Sequence, residues 1–178
     1  YFADWYDPGV GGHGTRDNRY TGTIYRLAPK GFKSVVPKVD LGTTEGQLLA
    51  LRSPAPNVRG AAFGRLKAQG DKVVDDVAAL LSDANPYVAS RAVWLLAQLG
   101  EKGAALARKE LASADATRRL VAFRALRAAG RDVFALCQSA ATDASPAVRR
   151  EVALALRDFK TPAAVATLVT VAKGFDGK

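Results

Sequence analysis

The sequence predicts a mainly α fold, an α–α superhelix of about four and a half two-helix repeats of thirty residues, preceded by a short N-terminal β and loop segment. Three observations lead there. Pro56, Pro86 and Pro146 share a thirty-residue register in which Ala116 takes the remaining slot. Leu66, Leu96, Leu126 and Leu156 keep the same spacing, and Gly70, Gly100 and Gly130 keep it too, with Lys160 in the fourth place. A fixed period of this size is the signature of stacked repeats, each burying its apolar face against the next.

Residues 1–44 read differently from the rest. Tyr1 to Tyr6 is rich in aromatics and runs into the turn-forming stretch Asp7-Pro8-Gly9-Val10-Gly11-Gly12. Thr21 to Leu27 combines β-branched and aromatic residues and reads as a second strand, closed by Ala28-Pro29-Lys30-Gly31. Two strands alone are not stable in water, so residues 1–40 are expected to lack a core of their own.

From about Glu45 the apolar period becomes 3.6, which makes residues 45–178 the repeat domain. Asn85, Asp115 and Ser145 occupy N-cap slots, with proline at the first helical position in two of these units and at Pro56. Val88, Ala92, Leu95, Leu96 and Leu99 then form one stripe, repeated by Val148, Val152, Ala155, Leu156 and Phe159. Gly100 and Gly130 fit the left-handed position that stops a helix. The first helices are shorter: Val73 to Leu81 and Val133 to Cys137 are clear, whereas Ala104 to Leu111 is more polar. Alanines at 61, 62, 92, 122, 125 and 153 are expected to let helices approach closely. The last unit starts at Pro162 and lacks a second helix, so Val165, Leu168, Val169 and Ala172 should need cover from a second copy, the N-terminal segment or altered packing.

Composition narrows the function classes. The chain has 178 residues and is 48% apolar, an ordinary globular content, and it holds no apolar run long enough to span a membrane. It starts in strand-like sequence without a methionine, which reads as a piece of a longer precursor. The single Cys137 excludes an intrachain disulfide and a thiolate metal cluster, and its place in an apolar stripe predicts a buried thiol. The net charge of +9 is spread over the chain: residues 1–44 carry 6 basic and 4 acidic groups, residues 45–178 carry 20 and 13. There is no basic–aromatic interleaving of the single-strand-binding type, so nucleic acid is the disfavoured partner.

The candidate site residues follow from charge and rarity. Arg118, Arg119, Arg124, Arg127, Arg149 and Arg150, with Arg157, form a candidate strip for an anion or an acidic partner. Against this, Arg59, Arg119 and Arg149 are register equivalents, and Asp83 and Asp143 recur at the turns, with Ser53 and Ser113 in the same slot. That pattern predicts an Asp–Arg ladder between units. His13, the only histidine, lies in a glycine-rich loop, and no second histidine or cysteine gives it metal-ligand spacing. Asp4, Asp7 and Asp17 do not follow a calcium-loop spacing, and Gly9 to Gly12 do not precede a helix as a dinucleotide motif would.

The short units with Val58-Arg59 and Val148-Arg149 after the cap resemble HEAT repeats, in particular the compact kind related to phycobilisome-lyase repeats, over residues 45–173. The stretch from Tyr1-Phe2-Ala3-Asp4-Trp5-Tyr6 to His13, followed by Gly22-Thr23-Ile24-Tyr25-Arg26-Leu27, resembles the last blade of a sorbosone or PQQ-glucose-dehydrogenase type β-propeller. Membrane-bound dehydrogenase-like proteins join such a propeller to HEAT repeats and then to a c-type cytochrome module, and Phe175-Asp176-Gly177-Lys178 is similar to the segment before that next block. The resemblance implies a periplasmic or exported quinoprotein-like parent using PQQ and haem c. Neither the other blades nor a Cys-x-x-Cys-His is present here, so this chain would carry no cofactor. His13 and Asp4 are the only residues carried over as site candidates, without an assigned catalytic step. Three roles stay open: a non-catalytic segment contacting other domains of the parent, a free-standing HEAT adaptor for an anionic partner, and an enzyme of the dehydrogenase or lyase type.

Overall fold

Proline can start a helix because its missing N–H would be unpaired there in any case. The structure, a computed structural model, uses that property at the register positions. It describes residues 1–4, 23–35 and 38–175. The second helices of the pairs are α2 (Pro56–Gln69), α4 (Pro86–Leu96), α6 (Ala116–Ala128) and α8 (Pro146–Leu156), whose starts are thirty residues apart. The first helices are α1 (Thr44–Ala50), α3 (Val74–Ala79), α5 (Gly100–Lys109) and α7 (Val133–Ala140), and α9 (Pro162–Lys173) follows without a partner. Short 3₁₀ turns at Leu80–Ser82 and Glu110–Ala112 close α3 and α5 in matching positions. The fold is thus mainly α and built as a helical repeat.

The register leucines explain the packing. Leu66, Leu96, Leu126 and Leu156 are all buried, and with Phe123, Leu95, Leu99, Val93 and Val152 they form a core continuous along the helical unit. Helices bury their stripes against their partners, and from α4 onward the second helices also stack on one another, α4 on α6 and α6 on α8. Phe159 ends its stripe only partly buried, against Phe134, with ring centroids 5.5 Å apart. Of the alanines expected at close contacts, Ala62, Ala92, Ala122 and Ala125 are buried, but Ala61 faces solvent on α2 and Ala153 is half-buried.

The ends of the helices match the caps in part. Asn85 and Asp115 accept the N–H of Tyr87 and Thr117. Ser145 makes no such bond, although its own N–H donates to Asp143 at 2.7 Å as the Asn85 N–H does to Asp83. Side chains also cap α1, α7 and α9, with Thr43 on Gly46, Asp132 on Ala135 and Thr161 on Ala164, whereas α3 and α5 start without one. Gly70, Gly100 and Gly130 all have positive φ, from +62° to +69°. At Gly130 the termination is complete, with the Gly130 N–H on the Arg127 carbonyl and the Arg131 N–H on the Leu126 carbonyl. α5 begins at Gly100, ahead of the Ala104 start that the polar sequence suggests.

Two compact units divide the chain, Tyr1–Lys38 and Val39–Lys178. The helical unit takes in six residues before Glu45. Val39 and Leu41 pack on the core, and the Leu41 carbonyl accepts from Gln47 Nε2 at 2.9 Å and Arg65 Nη1 at 3.0 Å. In the N-terminal unit, β1 (Phe2–Asp4) pairs antiparallel with β2 (Thr23–Tyr25), Ala3 opposite Ile24. Both strands are shorter than the sequence suggests. Tyr1, Phe2, Ile24, Tyr25, Leu27 and Phe32 are exposed. Arg26 stacks over the Phe32 ring at 4.2 Å and donates to Ser34.

Candidate functional site

The charged side chains of the helical unit gather where one pair meets the next. Arg119 leaves the first turn of α6 and meets Asp143 through two parallel bonds, Nε to Oδ2 at 2.8 Å and Nη2 to Oδ1 at 2.9 Å. Both side chains are largely buried, and the fork geometry is the strong, directional form of this pairing. The Arg119 guanidinium first, then the Ser145 N–H and the charge of Arg149, holds the Asp143 carboxyl below its ordinary range.

A second use of arginine recurs in three units. Arg59 Nη1 donates to the carbonyls of Ser53 and Pro54 at 2.8 and 2.6 Å. Arg119 Nη1 does the same to Ser113 and Ala114 at 2.9 and 3.0 Å, and Arg149 Nη1 to Asp143 and Ala144 at 2.8 and 3.1 Å. These carbonyls belong to the turn before the second helix and have no place in any helical ladder. Arg149 also reaches forward to the Gly174 carbonyl at 2.8 Å. The expected Asp–Arg ladder between units therefore has a rung at Arg119–Asp143 and another at Arg52–Asp83, while Arg149 crosses to the next unit through a main-chain carbonyl. Arg59 bonds its own turn, and Asp83 is met by Arg52. The Asn85 N–H, and after it Arg52, lowers the Asp83 pKa.

Three further arginines, whose destinations the periodicity did not indicate, bind carbonyls of the preceding pair or of the preceding connection between pairs. Arg91 donates to Leu51 at 2.6 Å and Arg118 to Leu81, two carbonyls thirty residues apart in sequence. Arg131 spans the Ala97 and Gly100 carbonyls.

Glu151 forms the other cluster. It sits on α8 with only 6% of its side chain exposed, and receives Arg124 Nη2 at 2.7 Å and Arg127 Nη1 at 3.3 Å from α6. The signal for it was in the sequence: residue 151 lies three after Val148, on the inward stripe, where a carboxylate needs partners.

The candidate strip can now be placed residue by residue. Arg118 is bound to Leu81 and lies 3.2 Å from Glu110. Arg119 and Asp143 form the fork, Arg124 and Arg127 hold Glu151, and Arg149 is spread over three carbonyls. Arg150 differs: it is 68% exposed and reaches Glu151 only at 3.9 Å. Arg157 is exposed too, 3.4 Å from its neighbour Asp158. Of the two remaining candidates, Asp4 lies in β1 opposite Thr23, and His13 lies outside the described residues.

Cys137 is buried in α7, and burial pushes its thiol up to about 11, so it stays protonated at neutral pH. Covalent haem attachment needs Cys-x-x-Cys-His. A lone buried thiol does not fit that group. Among the described residues no helix is long and apolar enough to cross a membrane. On α9, the inward residues are Ala164 and Thr167, with Leu168 and Val171 partly buried. The expected face divides, for Val165 is 59% and Val169 48% exposed and Ala172 is exposed as well.

A cavity of about 280 Å³ lies between the starts of α4 and α6, with Asp83, Ala84, Ala89, Asp115 and Arg118 in its lining. Comparison with protein-family models finds no match, and neither does comparison with curated proteins.

Proposed function

We propose that the chain is a non-catalytic HEAT-repeat segment that spaces or docks modules within a larger quinoprotein-like dehydrogenase carrying a c-type cytochrome module. The observation that carries the reading is the use of the arginines. Arg118, Arg119, Arg124, Arg127 and Arg149 bind turns and neighbouring helices, as suits a stack held together by contacts between neighbouring repeats. The sequence likeness of Tyr1 to His13 to a last propeller blade supplies the second half of the argument. In this reading PQQ and haem c belong to other parts of an exported or periplasmic parent, and the surface of the second helices contacts them.

Sequencing the gene on both sides of this stretch tests it. Propeller blades before Tyr1 and a Cys-x-x-Cys-His after Lys178 are expected. A parent without either ends the proposal, and PQQ-dependent sugar oxidation by this chain alone overturns the non-catalytic part.

A second reading is an adaptor for an acidic protein partner, favoured by the exposed Arg150 and Arg157 on α8 and its end. Capture of an acidic partner should then weaken steeply between low and physiological salt, and weaken again in Arg150→Ala. Self-association through Val165 and Val169 belongs to either reading. Sedimentation over a concentration series tests it, with Val165→Lys expected to abolish any dimer.

A further inference from the structure

The arginine series has a gap, and a cavity lies at the gap. In the first, third and fourth pairs, the residue six positions after the start of the turn is Arg59, Arg119 or Arg149, and each Nη1 bridges two adjacent turn carbonyls at 2.6–3.1 Å. In the second pair that position is Ala89, and the equivalent carbonyls are those of Asp83 and Ala84. Neither accepts a hydrogen bond among the described residues. Both residues and Ala89 itself line the 280 Å³ cavity.

We propose that this cavity is a socket for an arginine side chain presented by a partner protein. The guanidinium would enter from outside and bridge the Asp83 and Ala84 carbonyls, as the chain's own arginines do elsewhere. Three properties select arginine. The paired carbonyls suit a planar fork whose one nitrogen can donate twice, as three internal copies do. The charge suits a cation: Asp83 is already met by Arg52 and Arg118 is tied to Leu81 and Glu110, which leaves Asp115, whose carboxylate bonds only the Thr117 N–H among the described residues, as the carboxylate facing the space. The walls suit an alkyl stem, since Val93 and Val121 line the same space. The inference rests on the repeat register and the cavity at Ala89, and is independent of the parent proposed above.

Amide NMR spectra of the full chain, titrated with N-acetyl-arginine amide, test the socket. N-acetyl-citrulline amide, N-acetyl-lysine amide and guanidinium chloride serve as matched controls at constant ionic strength. Saturable shifts are expected at the amides of Asp83, Ala84, Ala89 and Arg118, with all three controls about tenfold weaker. Ala89→Arg places the group internally and should remove the response. Ala89→Leu fills the space with a neutral side chain, should remove it too, and keeps the test valid if the arginine variant does not fold. Absence of saturable shifts, an equal response to any control, or shifts that persist in a folded variant overturns the proposal.

Discussion

The two units of the chain spend similar residues in different ways. The N-terminal unit has bulky side chains, but Phe2, Ile24, Tyr25 and Phe32 remain exposed around a ladder of three residue pairs. The helical unit has many alanines among its apolar residues and buries a continuous core of them, though Leu49, Tyr87, Val165 and Val169 stay exposed. What differs is the spacing of partners along the chain. A helix closes its hydrogen bonds within four residues and its stripe meets a neighbour one turn later in sequence, so thirty residues suffice to build a layer. β1 and β2 are separated by eighteen intervening residues, and a two-stranded ladder offers no second face on which to bury them.

The sharpest contrast should come from aromatic truncation. Phe123→Ala, in the centre of the helical core, is expected to cost about 3–5 kcal/mol in urea unfolding followed by helical circular dichroism. Phe2→Ala should change the same transition by no more than about 0.5 kcal/mol. Equal losses would erase the distinction between the units.

Two glycines probe the helical unit with opposite signs. Gly100 has φ +64°, and an added Cβ would meet Asp71 Oδ1 well inside contact distance, so Gly100→Ala should destabilise by about 1–2 kcal/mol or more. Gly60 lies exposed in α2 with nothing near its added Cβ, and Gly60→Ala should stabilise by about 0.5–1 kcal/mol. Thermal melts of the two variants decide it, and a shared sign would break the argument.

Acid should reveal the fork at Asp143 as a smaller effect. Its pKa is lower in the folded chain than in the unfolded one, where it lies near about 4. The unfolded state therefore binds the proton first as pH falls, so the stabilisation is present above that value and disappears as pH drops through the folded pKa. Melting temperature against pH should fall less steeply below about pH 4 in Arg119→Ala than in the parent chain. An unchanged acid limb would mean that the fork contributes no pH-dependent stability. Smallest of all, removing residues 1–38 should leave the midpoint and cooperativity of helical unfolding where they were. Loss of a cooperative transition would show that the helical unit relies on the residues before Val39.

The period made the helices legible because prolines, leucines and glycines act locally. Pro86 and Pro146 start helices where the register places them, and Leu96 and Leu156 are buried for the same reason. The destinations of the arginines were much less legible. Arg91 and Arg118 are not register equivalents, yet they reach equivalent carbonyls, because they stand on neighbouring turns of similar helices and their long stems absorb the difference. Ser145 shows the converse: it has the right residue type in the right slot, yet its side chain makes no cap bond. Glu151 could have been read from its inward position, though its two partners could not, since they depend on how far α8 is offset against α6.

The reach of Arg91 has a consequence for how such a chain can change over generations. Its bond to Leu51 spans 40 residues, the longest sequence separation of any side-chain hydrogen bond among the described residues. Every such arm thus ends in its own pair, an adjacent one or the connection before it. Copying or losing a whole thirty-residue block leaves each surviving pair with a neighbour of the same kind, while losing one residue puts every later arm out of step. Unequal duplication in register is therefore the gentlest large edit this gene can undergo, and the pairs themselves are the natural units in which its length can vary.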